Sequence, residues 1–170
     1  MADRLFALAM ADNIVWRWNG PPSSESFGMT LQQAGSEHFG IVRSDGAVVG
    51  HAGLYGHNAA HRTAFFEASL LREREDGHGW GVGAVALAMW FLLQRHDIRK
   101  LYLETTDARY AQFSSLVRRG FFRVEGCLTE HVFAGGRYQN AIILGASGDE
   151  LRHQLERWAP HFEVKGLNRV

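Results

Sequence analysis

Cysteine and proline are scarce in this 170-residue sequence, which has one cysteine and three prolines. A single cysteine, Cys127, cannot form an intramolecular disulfide or a thiolate metal cage, and this favours a reducing compartment, so we expect a cytoplasmic protein. Net charge is absent as well, because 18 Lys and Arg balance 18 Asp and Glu. A neutral chain has no bulk attraction to nucleic acid or to an anionic membrane, and we expect neither partner.

Long hydrophobic runs are also missing. The longest, residues 82–93, has 12 residues, whereas about 20 are needed to cross a bilayer. Hydrophobic residues nevertheless make up 46% of the chain, which at this length can build a core without metals or disulfides. We therefore expect one domain over residues 1–170, with a C-terminal helix and tail over 149–170.

Hydrophobic periodicity and turn residues predict the order of helices and strands. Helices are predicted at residues 5–18, 23–33, 84–94, 109–119 and 149–158, and strands at 38–43, 47–54, 63–71, 98–105, 121–133 and 137–144. Hairpin turns at 44–46 and 134–136 exclude a doubly wound parallel sheet. The expected fold class is α/β, of the α+β kind, with helices packed on one mixed sheet.

Glycine, by contrast, is plentiful: the chain has 19, and four of them fall within residues 77–83. This cluster precedes a buried helix, whose free N–H groups and dipole could hold a pyrophosphate. A P-loop is excluded because the cluster has no lysine. A dinucleotide fingerprint, GxGxxA at 79–84 with Glu104 further on, keeps an oxidoreductase open as an alternative, although residues 72–78 separate it from the preceding strand.

Residues 78–84 resemble the coenzyme A loop, (Gln/Arg)-x-x-Gly-x-(Gly/Ala), of the GCN5-related N-acetyltransferase (GNAT) family, with His78 at its first position. The resemblance continues through Gly-Phe at 120–121, Glu-Gly at 125–126, and a turn glycine followed by Arg-Tyr at 136–138. It is strongest to the ribosomal-protein, polyamine and antibiotic acetyltransferases, and it covers residues 13–144. It implies a mostly antiparallel sheet of six to seven strands, splayed at the cofactor, with about four flanking helices and a short C-terminal helix.

The resemblance implies transfer of an acyl group from acetyl-CoA, or another acyl-CoA, to an amine of a peptide, polyamine or antibiotic-like molecule. The backbone of Leu70 and Leu71 would contact the pantetheine, and Leu71 would polarise the thioester carbonyl. The other implied cofactor contacts are Arg72, His78, Gly79, Trp80, Gly81, Val82, Gly83, Ala84, Arg109 and Ser114. No metal is expected: His57 and His61 lie four apart, but Gly56 and Asn58 predict a loop without a third ligand.

Glu67 is the candidate general base, because an acceptor amine attacks only when neutral and a nearby carboxylate can take its proton. The sequence of the strand does not decide the orientation of the Glu67 side chain, which could face inward, as this role requires, or face solvent. The acid usual in the family, a tyrosine, falls on Leu116, and its common asparagine falls on Arg109. Ser114, Ser115 or Tyr110 could substitute, and a non-catalytic acyl-CoA-binding domain stays open as an alternative.

The acceptor site in this family is shaped by the first two helices, so the resemblance points to aromatic residues there. The candidates are Trp16, Trp18 and Phe27. The edge strands of the terminal hairpin and the C-terminal helix are candidate surfaces for a homodimer.

Overall fold

The computed structural model describes residues 3, 6, 7, 23–32, 34–70, 80–134 and 136–158. Six strands and four helices can be followed through these residues, and residues 3, 6 and 7 are helical as well. The strands are β1 (Glu37–Val42), β2 (Val48–Asn58), β3 (Thr63–Leu70), β4 (Lys100–Thr106), β5 (Arg123–Ala134) and β6 (Arg137–Ser147). The helices are α1 (Ser24–Leu31), α2 (Trp80–Arg95), α3 (Tyr110–Arg118) and α4 (Gly148–Glu156).

The six strands form one sheet in the order β1-β2-β3-β4-β6-β5. Every neighbouring pair is antiparallel except β3 and β4, which run parallel. The parallel pair needs a crossover, and α2 supplies it. This mixed, mostly antiparallel sheet with flanking helices confirms the predicted fold class.

One face of β1–β4, here called the core face, packs against α2 and α4. Its rows follow the strand registers, for example Phe39 beside Ala52, and Leu54 beside Phe66 beside Leu103. These side chains are almost fully buried with Met89, Leu92, Leu93, Leu151 and Leu155 of the helices. Burial of such residues stabilises the fold by about 1.5–3 kcal/mol each.

The opposite face, here called the polar face, carries the residues that alternate with the core rows. His38 lies opposite Gly53, which lies opposite Glu67, and the next row pairs His51 with Ser69. Near this face α1 packs Phe27 against Val48 at the start of β2. A period of two therefore separates an apolar side from a side that carries ionisable groups.

Most predicted boundaries lie within a few residues of the observed ones, and two differ more. Helix α2 begins at Trp80 rather than at Ala84, so the last glycines of the cluster lie in its first turn. Strand β2 continues to Asn58, so the loop prediction around His57 is wrong. Gly56 has a φ of 60° and lies where the β2–β3 register shifts, because a glycine inside a strand can form a bulge without ending it.

The first predicted helix, 5–18, lies almost entirely outside the described residues. Among the described helices, none is both long enough and apolar enough to cross a membrane.

Candidate functional site

Strands β3 and β4 separate part-way along their length. Their ladder joins Thr63 to Lys100 and ends where Phe66 meets Leu103. Both strands continue beyond this point, β3 through residues 67–70 and β4 through residues 104–106. On their outer sides they stay paired, β3 with β2 and β4 with β6. The sheet therefore opens into a cleft between two strands that remain extended.

The inner sides of the cleft are strand edges that lie beyond the β3–β4 ladder. Edge N–H and C=O groups of this kind can pair with an extended ligand that carries amides, in the way that a peptide adds a strand to a sheet. Leu70, a predicted cofactor contact, lies on β3 in the stretch beyond this ladder. The cleft therefore suits a long, amide-bearing ligand.

The N-terminus of α2 lies at the same end of the sheet. At the other end of this helix, Arg95 and His96 contact Glu37 at the start of β1, which fixes the helix direction antiparallel to β3. Trp80, Gly81, Val82 and Gly83 begin the helix, where N–H groups lack intrahelical acceptors and the dipole favours an anion. A phosphate could therefore bind beside the cleft, as the glycine cluster predicts.

Two carboxylates flank the opening. Glu67 and Glu104 directly follow the last paired residues of β3 and β4, and both alternate with core-face residues. The side chain of Glu67 is 13% exposed, so its position is the inward one and the solvent-facing alternative is wrong. Glu104 is half-buried. An incoming amine would meet negative charge at the mouth of the cleft.

Two histidines join Glu67 on the polar face, and sequence reasoning missed both. Nδ1 of His38 lies 3.0 Å from Nε2 of His51. Oε1 of Glu67 lies 3.6 Å from Nδ1 of His38 and 3.7 Å from Nδ1 of His51. Strand alternation could have placed each histidine on a face, but only the register between strands brings them together.

The pKa of His38 falls from 6.5 to about 4. Burial is the main cause because it disfavours the charged form, and His51 lowers the pKa further, whereas Glu67 acts in the opposite direction. His38 is therefore neutral at physiological pH. A neutral imidazole offers one N–H donor and one acceptor nitrogen.

Helix α3 carries three other predicted positions. Arg109 is its N-cap residue and uses no side-chain cap. The Ser114 hydroxyl donates to the carbonyl oxygen of Ala111, so it is engaged within the helix. Leu116 packs against the main core, and it brings no proton donor to the position of the family tyrosine.

The remaining predicted residues divide into two groups. Phe27 is 2% exposed and packs against Phe6, Leu31 and Val48, so in this structure it serves packing and its role in a pocket stays a prediction. The others lie outside the described residues: Trp16, Trp18, Leu71, Arg72, His78 and Gly79.

A model of the acetyltransferase (GNAT) family matches residues 3–121, which is more than half of the chain. The chain belongs to this family. Enzymes of the GNAT family use acetyl-CoA. A comparison with curated protein sequences found no match.

Several solved structures share the GNAT fold of this chain. Spermidine N-acetyltransferase from Vibrio cholerae in complex with CoA and spermine is 20% identical, with a TM-score of 0.73 over 88% of this chain and 91% of that one. A point mutant of spermidine N-acetyltransferase from the same organism gives 20% identity and a TM-score of 0.74 over 90% and 91%. The spermidine/spermine N-acetyltransferase from Vibrio cholerae in complex with manganese ions is 21% identical, with a TM-score of 0.65 over 77% of this chain and 76% of that one. At these identities the likeness shows the fold, and the family match identifies an N-acetyltransferase.

Proposed function

We propose that this single-domain protein is a cytoplasmic enzyme that transfers the acetyl group of acetyl-CoA to a primary amine. The observation that carries the proposal is the opening between β3 and β4, with an inward carboxylate, Glu67, at the first position beyond the β3–β4 ladder. The pantetheine amides would pair with the open strand edges. The pyrophosphate would bind the N–H groups of the first turn of α2, which contains Gly81 and Gly83.

The reaction removes two protons from the ammonium group of the acceptor and delivers one to the leaving sulfur. Glu67 takes a proton from the ammonium group of the acceptor, and the neutral nitrogen then attacks the thioester carbonyl carbon. Backbone N–H groups near Leu70 and Leu71 stabilise the resulting oxyanion. The C–S bond then breaks and the nitrogen loses its second proton to solvent, giving the neutral amide and the coenzyme A thiolate.

The departing thiolate takes its proton from solvent. Leu116 carries no proton donor, and Ser114 already donates to Ala111. A thiol with an ordinary pKa of about 8.5 is a good leaving group even without a protein acid. The proposal therefore needs Glu67 as base and no dedicated acid.

The acceptor is a small cationic amine, such as a polyamine. Glu67 and Glu104 place negative charge on both sides of the cleft mouth, and opposite charge raises the local concentration of a cation. The fold neighbour that carries spermine and CoA together supports this choice. Peptide N-termini and antibiotic-like amines are the other acceptors to be compared.

Thermal unfolding with acetyl-CoA tests the cofactor. A ligand at 100 times its Kd stabilises the native state by about 2.7 kcal/mol, and we expect Tm to rise by several degrees. NADH and NADPH at equal concentration are the matched controls. Stabilisation by a dinucleotide and none by acetyl-CoA would contradict the proposal and favour the oxidoreductase.

Release of free thiol from acetyl-CoA tests the transfer. We expect turnover with spermidine or spermine, and less with a peptide N-terminus or an aminoglycoside. A second candidate function, an acyl-CoA-binding domain without turnover, is favoured by Leu116 at the acid position. Binding of acetyl-CoA with no thiol release on any of these amines would select that candidate.

A further inference from the structure

Three ionisable side chains on neighbouring strands form a compact group on the polar face. His38 of β1 and His51 of β2 are each 8% exposed, and Glu67 of β3 is 13% exposed at its side chain. Among the described residues, these three side chains lie close enough together to hold one metal ion. The alternative is that they form hydrogen bonds to one another.

We propose that His51 and His38 are positioning residues for Glu67, joined to it by a directed chain of hydrogen bonds. His38 donates from Nδ1 to Nε2 of His51, and His51 donates from Nδ1 toward Oε1 of Glu67. The chain fixes the orientation of the carboxylate beside the cleft. This inference rests on the proposed role of Glu67 as the base.

The direction of the chain follows from Nε2 of His38. This atom is fully enclosed and has no hydrogen-bond partner among the described residues. A buried N–H without an acceptor is rarer and more costly than a buried acceptor without a donor. The proton of neutral His38 therefore belongs on Nδ1, which faces His51 at 3.0 Å.

The tautomer of His51 is then determined. Its Nε2 accepts from His38, so a neutral His51 carries its proton on Nδ1. That nitrogen lies 3.7 Å from Oε1 of Glu67. Nδ1 of His38 lies 3.6 Å from the same oxygen but is closer to His51, at 3.0 Å. Such contacts are often long before substrate binds and shorten in the working complex. Both N–H bonds therefore point from the edge of the sheet toward the carboxylate.

The ring geometry favours a hydrogen bond over a shared metal ion. The two imidazole centroids lie 5.1 Å apart with an angle of 18° between the ring planes, while the facing nitrogens are 3.0 Å apart. The nitrogens therefore point at each other nearly along the line between the rings. An ion held at about 2.0–2.1 Å from each nitrogen would need them farther apart in this arrangement.

Gly53 makes the arrangement possible. It lies between His38 and Glu67 across the strands, and a methyl group at this position would collide with Nδ1 of His38 and lie 2.9 Å from the carbonyl oxygen of Glu37. The absence of a side chain lets the His38 ring lie across β2. A glycine at position 53 therefore leaves the space that the His38 ring occupies.

The proton balance leaves the imidazoles unchanged. The ammonium proton moves to the carboxylate of Glu67, and no bond to either histidine proton breaks. The low pKa of His38, about 4, agrees with an imidazole that stays neutral. Both histidines therefore act through Glu67 without touching the acceptor.

Nitrogen-15 NMR of the histidine side chains tests the chain independently of activity. We expect His38 and His51 to be neutral and protonated on Nδ1 at pH 7, with their signals assigned by loss in His38→Phe and His51→Phe. A proton on Nε2 of either residue, or a charged imidazole at pH 7, would overturn the proposal. Zn²⁺ that binds with shifts in both histidines would overturn it in favour of a metal site.

Kinetics of matched variants tests the positioning role. His51→Phe removes the donor, and we expect kcat to fall about 10- to 100-fold with KM little changed, as for other outer hydrogen-bond partners. His51→Asn keeps an N–H donor near the position of Nδ1 and should restore most of the loss. Equal kcat in parent and His51→Phe, or equal loss in His51→Asn and His51→Phe, would overturn the proposal.

The two proposals can fail separately. A parent protein that binds acetyl-CoA, shows both Nδ1–H tautomers and acetylates none of the amines would overturn the proposed function. The hydrogen-bond chain would then be confirmed, but its role in positioning a catalytic base would be wrong. An active parent with the wrong tautomers would overturn only the chain.

Discussion

The two faces of β1–β4 use the same strands for different purposes. The core face is mostly apolar, with Phe66 and Leu103 at its centre and Leu144 of β6 beside them. The polar face has His38 and Glu67 in the row where β3 and β4 begin to separate, and His51 in the next row. Stability and chemistry are thus divided between alternate residues of one sheet, and substitutions on the two faces should be separable.

Replacing Phe66 by alanine should give the largest loss of stability. Phe66 is fully buried on the core face, and truncation of such a residue costs about 3–5 kcal/mol. The adjacent Phe65 is half-buried on the polar face, against Tyr55 and Tyr102, and Phe65→Ala should cost only about 1–2 kcal/mol. Urea unfolding measures both. Equal losses would contradict the division between faces.

Acid should destabilise the polar face through His38. Its folded pKa of about 4 lies below the unfolded value of 6.5, so the unfolded state binds the proton first as pH falls. The contribution of neutral His38 to the free energy of unfolding is therefore fully present above pH 6.5 and is lost as the pH falls toward 4. The loss between pH 7 and pH 5 is about 2 kcal/mol. Unfolding free energies at both pH values measure it. His38→Asn should show a smaller loss, and an equal loss would refute the assignment.

Gly53→Ala should disturb the polar face while leaving the core face intact. The added methyl meets His38 and the backbone of Glu37, and overpacking of this kind costs about 1–3 kcal/mol. Displacement of His38 should also lower kcat. Gly126→Ala is the matched control in β5, since its methyl would have no neighbour within 4 Å. If the two variants unfold at the same urea concentration, Gly53 has no such role.

The order of strands and helices could be predicted from the sequence because it depends on local composition and turn residues. The apolar stretch Thr63–Leu70 and the apolar run that forms α2 each predict an element without knowledge of its partner. The turn glycines Gly46 and Gly120 also confirm their predicted places, with φ values of 86° and 77°. Local chemistry therefore sufficed for the order of elements and for the fold class.

The polar group could not be predicted in the same way. His38 and His51 are 13 residues apart, and they meet because the β1–β2 register places each opposite a glycine, Gly53 and Gly40. Nothing in a single strand specifies that register. Glu67 was a candidate from its type alone, and its burial depended on how the sheet opens beside it.

The measurement that bears most directly on the account is the kcat of Glu67→Gln for acetyl transfer to spermidine, with acetyl-CoA binding followed by thermal shift. The account expects kcat to fall about 10²- to 10⁴-fold, the contribution of a general base, while acetyl-CoA stabilises the variant as it does the parent. Glu104→Gln, the matched carboxylate across the cleft, should mainly raise KM. A Glu67→Gln variant with the kcat of the parent would contradict the account.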